Sequence, residues 1–209
     1  MIIGITGGVG VGKTTILNVL QSSYKAKLII ADNVAKSLMK PGNDCYEKVI
    51  EAFGEDILFE IPKDTLYGNS NKPIKPAIDR KKLSDIVFND PEKLAELNAI
   101  VHPEVKTEIL KAIDDIYEID ENAIIVLEAA LLIEEGYKEI CDELWVVTAE
   151  KEKRIERLML DRKYTREKCE SIMDDQLSEE EYLKHADFVI ENTGNIEDTV
   201  KQIKEHLKV

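Results

Sequence analysis

Positive charge is scarce in this chain: 28 Lys and Arg stand against 42 Asp and Glu, a formal net charge of -14 over 209 residues, with a pI near 4.8. No net positive field exists to draw a nucleic-acid backbone, so a nucleic-acid partner is not expected. The same field repels phosphate ligands at a distance, and any phosphate site must be assembled locally from cations and backbone N–H groups. Cysteine is scarce as well. Cys45, Cys141 and Cys169 lie far apart without a Cys-x-x-Cys pair, which excludes a disulfide framework and a redox or zinc motif and suits reduced thiols in the cytoplasm. Long apolar runs are missing: the stretch 124–133 is too short for a membrane span and contains Glu128. MIIGITGG carries no basic leader and no signal-length apolar run. A cytoplasmic protein with no membrane partner is expected.

What the chain does contain is an ordinary globular balance, 44% hydrophobic and 33% charged, in a length that suits one α/β domain or one domain with a sizeable insertion. Five of its ten glycines fall in the first twelve residues, directly after the apolar run Met1 to Ile3. This marks a strand followed by a special turn. Ile16, Leu17 and Leu20 then recur at helical spacing, and residues 27–31 read as a second buried strand ending at Asp32. From about Pro41 to Asn122 the pattern turns helical. Asp90-Pro91-Glu92 predicts a helix start with Leu94, Leu97 and Val101 on its apolar face, and Pro103 predicts the opening of a further helix striped by Val105, Ile109, Ala112 and Ile116. Pro62 to Pro76 holds three of the six prolines and reads as an irregular surface loop. Strands are expected at 123–127, 143–147 and 187–190, and Asn195 is expected to cap a last helix striped by Ile196, Val200, Ile203 and Leu207. Short buried strands alternating with helices imply a parallel sheet covered on both faces.

The chemistry concentrates in Gly7 to Thr14, GGVGVGKT, a full match to G-x-x-x-x-G-K-[ST] lying between a strand and a helix. Small residues let the backbone N–H groups of Gly8, Val9, Gly10, Val11 and Gly12 surround a β-phosphate, and the following helix adds its positive end. Lys13 is placed to reach the β- and γ-phosphates and Thr14 to ligate Mg²⁺, while Thr15 reads as helix surface. Two readings stand for Glu128: a strand-end Mg²⁺ partner, or an acid that faces solvent or pairs with a neighbour. Asp32 has two as well, a proton acceptor facing the crevice or the cap of the next helix. Arg154, Arg157, Arg162 and Arg166, with Lys151, Lys153 and Lys163, form a basic stretch that suits either an arginine-bearing lid over phosphate or a solvated helix face. His102, beside Pro103, lacks metal partners at suitable spacing and reads as a packing or hydrogen-bonding residue.

Along nearly its whole length the chain resembles dephospho-coenzyme A kinase. The segments that carry the likeness are IGITGGVGVGKTT, IIADNVAKSL, DRKKLSDIVFNDP, LNAIVHP, IIVLEAALLIEEG, DELWVVTAEKEKRIERLMLDR, Gln176 and ADFVIENTG. The resemblance implies a P-loop NTPase fold, with a core over residues 1–40 and 123–209, a lid at about 154–178 and a helical CoA-binding insertion over 41–122. It implies transfer of phosphate from ATP to the ribose 3′-hydroxyl of dephospho-CoA, the last step of CoA synthesis. By the same likeness Asp32 is the base, Gly10, Gly12, Lys13, Thr14 and Thr15 hold ATP, and Arg157 and Arg162 are lid arginines. Asn192 borders the adenine, and Arg80 and His102 belong to the CoA-binding region. Three departures stand out: Ala130 where the family has proline before Leu131-Leu132, Tyr182 where a basic residue is common, and a longer loop over 59–77. A nucleoside monophosphate kinase is the alternative reading. A GTP-binding switch is excluded because no Asp lies three residues before any glycine and Asn71-Lys72 continues as Pro73-Ile74. A monomer or small homo-oligomer is expected.

Overall fold

The computed structural model describes residues 1–60, 75–129 and 131–208. They form two compact units, residues 1–30 with 113–209 and residues 31–112.

In the first unit five short strands make one parallel sheet: β1 (Ile2–Thr6), β2 (Lys27–Ile30), β3 (Ile125–Glu128), β4 (Glu143–Thr148) and β5 (Phe188–Glu191), ordered β2-β3-β1-β4-β5. β1 is central, pairing Ile5 with Glu128 on one side and with Trp145 on the other. Consecutive strands of a parallel sheet need crossovers, and here the one after β1 runs toward one edge and the one after β3 toward the other, which opens a crevice at the carboxyl ends. α1 (Lys13–Tyr24) covers one face with Ile16, Leu17 and Leu20 against Ile3, Ile5, Val126, Trp145, Val147 and Ile190. Each such large side chain, taken fully out of water, contributes about 1.5–3 kcal/mol.

Among the described residues the second unit holds four α-helices: α2 (Ala31–Leu38), α3 (Asp44–Phe53), α4 (Arg80–Phe88) and most of α5 (Pro91–Ile119). Its core includes Cys45, Tyr46, Val49, Ile57, Ile78, Leu83, Val101, Val105 and Ile109. Asp79 caps α4 by accepting from the N–H groups of Lys81 and Lys82, and Asp90 accepts from those of Glu92 and Lys93 at the start of α5. The expected irregular loop falls largely on residues outside the description, 61–74. Its flanks are joined by an antiparallel bridge between Leu58 and Ile78.

Pro103 corrects one expectation. It opens no new helix; α5 runs unbroken through it for 29 residues. A proline inside a helix forfeits one hydrogen bond and costs about 3 kcal/mol. Here Val101, Val105, Ile109 and Ile113 form one buried stripe at i+4 spacing on both sides of it, and Pro103 itself is exposed. Burial holds the helix together across the defect. Leu94, expected on the apolar face, is 43% exposed.

The first unit is completed by α6 (Lys151–Arg162), α7 (Arg166–Asp174), α8 (Glu179–His185) and α9 (Ile196–Leu207). Ile155, Leu158 and Cys169 join α6 to α7, with Val9 packed on them. Asn195 caps α9 by accepting from the N–H of Asp198 at 2.9 Å, as expected. Ile196 departs from the expected stripe and is 42% exposed. All three cysteines are free thiols, and burial pushes that of Cys141 up to about 12, so it stays protonated and unreactive. Among the described residues no helix is long and apolar enough to cross a membrane.

Candidate active site at the glycine loop

The loop from Gly7 to Gly12 carries the chain from the carboxyl end of β1 into α1. Gly12 caps the helix in the left-handed region at φ 93°, and a Cβ there would lie 2.2 Å from Asn192 Nδ2. Only glycine satisfies both constraints. The first turn of α1 contains no acid, so its positive end is left for a ligand, and Thr14 and Thr15 are exposed there.

Lys13 folds back over the loop, its ammonium donating to Gly7 O at 2.7 Å and to Gly8 O at 3.3 Å. Burial lowers its pKa. The Glu128 carboxylate works against that by favouring the charged form, while Arg154 and Arg162 reinforce the lowering. Glu128 therefore belongs to the loop's electrostatic field: it ends β3, in register with Ile5 of β1 and Ile30 of β2. Among the described residues no three His, Cys, Asp or Glu cluster as a metal cage. Mg²⁺ does not need one, since it keeps several waters and takes one or two protein ligands alongside phosphate oxygens. Thr14 and Glu128 fit that pattern.

Three elements hydrogen-bond to the loop. From α6, Arg154 Nε donates to Val9 O at 2.9 Å, and Arg157 donates to Val11 O at 3.1 Å, to Gly10 O at 3.3 Å and to Asn192 O at 2.6 Å. From the end of α7, Gln176 Oε1 accepts the Val9 N–H at 2.7 Å. From the end of β5, Asn192 Nδ2 donates to Val11 O at 2.7 Å, and its Oδ1 accepts from the hydroxyl of Thr199 on α9 at 2.9 Å. Asn192 is 4% exposed and Thr199 fully buried. Arg157 thus spends its donors on backbone carbonyls, whereas Arg162, the last residue of α6, is exposed and has no ion pair among the described residues.

Lys13, Glu128, Arg154, Arg157, Arg162 and Asn192 all belong to the first unit, and Asp32, Arg80 and His102 to the second. Asp32 follows β2 by two residues and lies in the first turn of α2. Its partner is Lys36 one turn on, and no backbone N–H among the described residues donates to it, so the capping reading is not met. Arg80 is exposed as the first residue of α4, and His102 is half-buried in α5. Ala130 lies outside the described residues. Tyr182 is buried, its pKa raised by that burial, in the wall of a cleft of about 180 Å³ that also touches Gly8, Val11, Thr148, Arg154 and Glu179.

Sequence reasoning left Thr199 and Gln176 without roles. The signal for Thr199 was a polar residue beside the α9 apolar stripe; for Gln176 it was its place in the family likeness alone.

A strand, a glycine loop and a helix at the centre of a five-stranded parallel sheet, with a lysine closed over the loop, define a P-loop phosphotransferase of the small-molecule kinase fold. The family model of dephospho-CoA kinase matches residues 1–198. A dephospho-CoA kinase of Carboxydothermus hydrogenoformans is 40% identical over 204 residues, 97% of this chain and 90% of its own length. Among solved structures, a protein of Thermus thermophilus aligns with a TM-score of 0.77 and 30% identity, covering 100% of this chain and 96% of that one. The dephospho-CoA kinase of Campylobacter jejuni aligns with a TM-score of 0.69 and 27% identity, covering 99% and 95%. The chain belongs to the dephospho-CoA kinase family.

Proposed function

We propose that this protein transfers the γ-phosphoryl group of ATP to the ribose 3′-hydroxyl of dephospho-CoA, giving CoA and ADP. The observation that carries the reading is an intact glycine loop with Lys13 closed over it, in a chain whose family likeness runs nearly end to end. The backbone N–H groups of residues 8–12 and the start of α1 receive the phosphates, and Lys13 exchanges its two carbonyl partners for β- and γ-phosphate oxygens. Thr14 and Glu128 would hold Mg²⁺, which when bound neutralises charge on the β- and γ-oxygens. Asp32 accepts the proton of the 3′-hydroxyl as its oxygen attacks the γ-phosphorus. One P–O bond forms, the bond to the β–γ bridging oxygen breaks, and the electron pair leaves on ADP. Arg162 faces the charge that develops on the transferring group.

Arg157 and Asn192 support this step from behind the loop, and the Asn192 segment borders the adenine. Arg80 and His102, in the helical region between β2 and β3, contact the CoA portion. We further read the protein as cytoplasmic, acting as a monomer or small homo-oligomer. The decisive assay is ADP release with ATP and Mg²⁺, comparing dephospho-CoA with a panel of nucleoside monophosphates. Dephospho-CoA is expected to be the best acceptor; a nucleoside monophosphate used more efficiently would overturn the assignment.

A further inference from the structure

Arg154 stands apart from the other lid arginines. Its guanidinium lies against Gly8: a Cβ at that position would come within 2.4 Å of its terminal nitrogen and 3.0 Å of its central carbon. The loop pattern demands no glycine at its second position, and a side chain there would have to displace the Arg154 guanidinium. The side chain is half-buried, its Nε donates to Val9 O, and among the described residues it forms no ion pair within 4.0 Å. The Lys13 ammonium sits 3.3 Å from the carbonyl oxygen of the same glycine. Two cations therefore grip one residue, near enough for Arg154 to oppose the charge on Lys13. Glu128 favours the charge on Lys13, and Glu179, in the same cleft as Arg154, favours that on the guanidinium. Arg157, three residues on, instead directs both terminal nitrogens to backbone carbonyls.

We infer that Arg154 is a further catalytic residue, whose terminal nitrogens contact the transferring phosphoryl group at Gly8 opposite Lys13. The inference rests on the reading of the glycine loop as the ATP phosphate site. In the step described above, the γ-phosphoryl group carries its charge on three equatorial oxygens while the bond to the bridging oxygen lengthens. A planar guanidinium fixed by its Nε supplies two further N–H donors to those oxygens without reorganising, which stabilises the transition state more than bound ATP. Tyr182, buried in the same cleft, adds a neutral wall.

The competing account makes Arg154 a clamp that ties α6 to Val9 O. Steady-state kinetics of Arg154→Ala and Arg154→Gln with dephospho-CoA, ADP affinity, and rescue of Arg154→Ala by added guanidinium separate the two. We expect kcat to fall roughly 30- to 100-fold with the KM for ATP and the affinity for ADP within about threefold. Millimolar guanidinium should restore the Arg154→Ala rate about fivefold or more and leave the wild type unchanged. A kcat within about threefold of wild type overturns the inference. So does a loss shared equally by ADP binding and turnover that guanidinium does not rescue, which would establish the clamp. If the alanine variant fails to fold by thermal melting, the glutamine variant decides on the kcat-against-KM split alone. Lys13→Ala is run in parallel. Should that variant keep its activity, the phosphate-site reading itself has failed; should it lose activity while Arg154→Gln does not, only the present inference has.

Discussion

Lys13 and Asp32 are the two ends of the proposed reaction, and the protein keeps them in very different surroundings. Lys13 is half-buried in a cradle of backbone carbonyls, where burial presses its pKa down and Glu128, Arg154 and Arg162 all bear on it. Asp32 has a side chain 70% exposed, on a helix with no buried residue, and its partner Lys36 is 41% exposed. Charges at the first site act through a low local dielectric and are braced by three layers of hydrogen bonds; charges at the second are screened by water. The first site is preorganised by the fold. The second owes nothing to packing, so a change there is read as chemistry with little admixture of stability.

The largest effect should come from the buried end. Lys13→Ala is expected to lower turnover by about three powers of ten or more while the protein still folds, since its partners are only backbone carbonyls at the surface of the crevice. Near wild-type turnover, with a normal melting curve, would dissolve the contrast between the two ends.

Asp32→Asn tests the exposed end. Turnover in single-turnover transfer to dephospho-CoA should drop by roughly two to four powers of ten, with the melting temperature unchanged. The exposed ion pair with Lys36 contributes at most about 1 kcal/mol, so a stability loss cannot account for such a drop. A rate within about threefold of wild type would remove Asp32 from the chemistry.

Arg162→Ala sharpens the boundary between binding and turnover. A loss of about tenfold in kcat, with the KM for ATP nearly unchanged, is expected for a group that meets only developing charge. A change confined to KM would make it a ground-state contact.

Thr199→Val probes the bracing itself, one hydrogen bond behind Asn192. Valine keeps the shape but leaves the buried Asn192 Oδ1 without its donor, costing about 1–2 kcal/mol in thermal unfolding and raising the KM for ATP a few-fold. Thr199→Ser should restore both. If valine shifts melting but not KM, the Thr199–Asn192–Val11 chain is structural and does not set the loop.

The smallest effect lies at the amino-terminal end of the sheet, opposite the glycine loop. Burial alone would raise the Glu143 pKa, but hydrogen bonds from Trp145 and His206 outweigh it and hold the carboxyl below its ordinary 4.5. A depressed carboxylate stabilises the fold above its unfolded value and loses that contribution as pH falls through the lower folded one. Glu143→Gln should therefore cost about 0.5–1 kcal/mol at neutral pH, a gap that closes below pH 4.5. Kinase activity should not change. A pH-independent gap would assign the loss to packing.

Much of this was legible beforehand for one physical reason: short-range rules write short-range patterns. GGVGVGKT between an apolar run and a helical stripe specifies strand, loop and helix locally, and Asn195 capping α9 is likewise a matter of neighbours. Pro103 misled because the rule that proline ends helices is local, while the stripe of Val101, Val105, Ile109 and Ile113 that overrides it is worth more in burial than the broken bond costs. The basic stretch of α6 hid a division of labour. Arg154 and Arg157 are three residues apart and look alike in sequence, yet one lies against Gly8 and the other donates to carbonyls of Gly10, Val11 and Asn192.

By itself, then, the sequence determined that a phosphate loop exists, where it lies between strand and helix, and which family the chain joins, because those depend on residue types at fixed spacing. Only the tertiary structure decided which arginine braces and which is open, that Glu128 shares the field of Lys13, and that Thr199 reaches the loop through Asn192. Those contacts join residues more than a hundred positions apart, or through a buried intermediary, and their energies depend on desolvation, which no local pattern records.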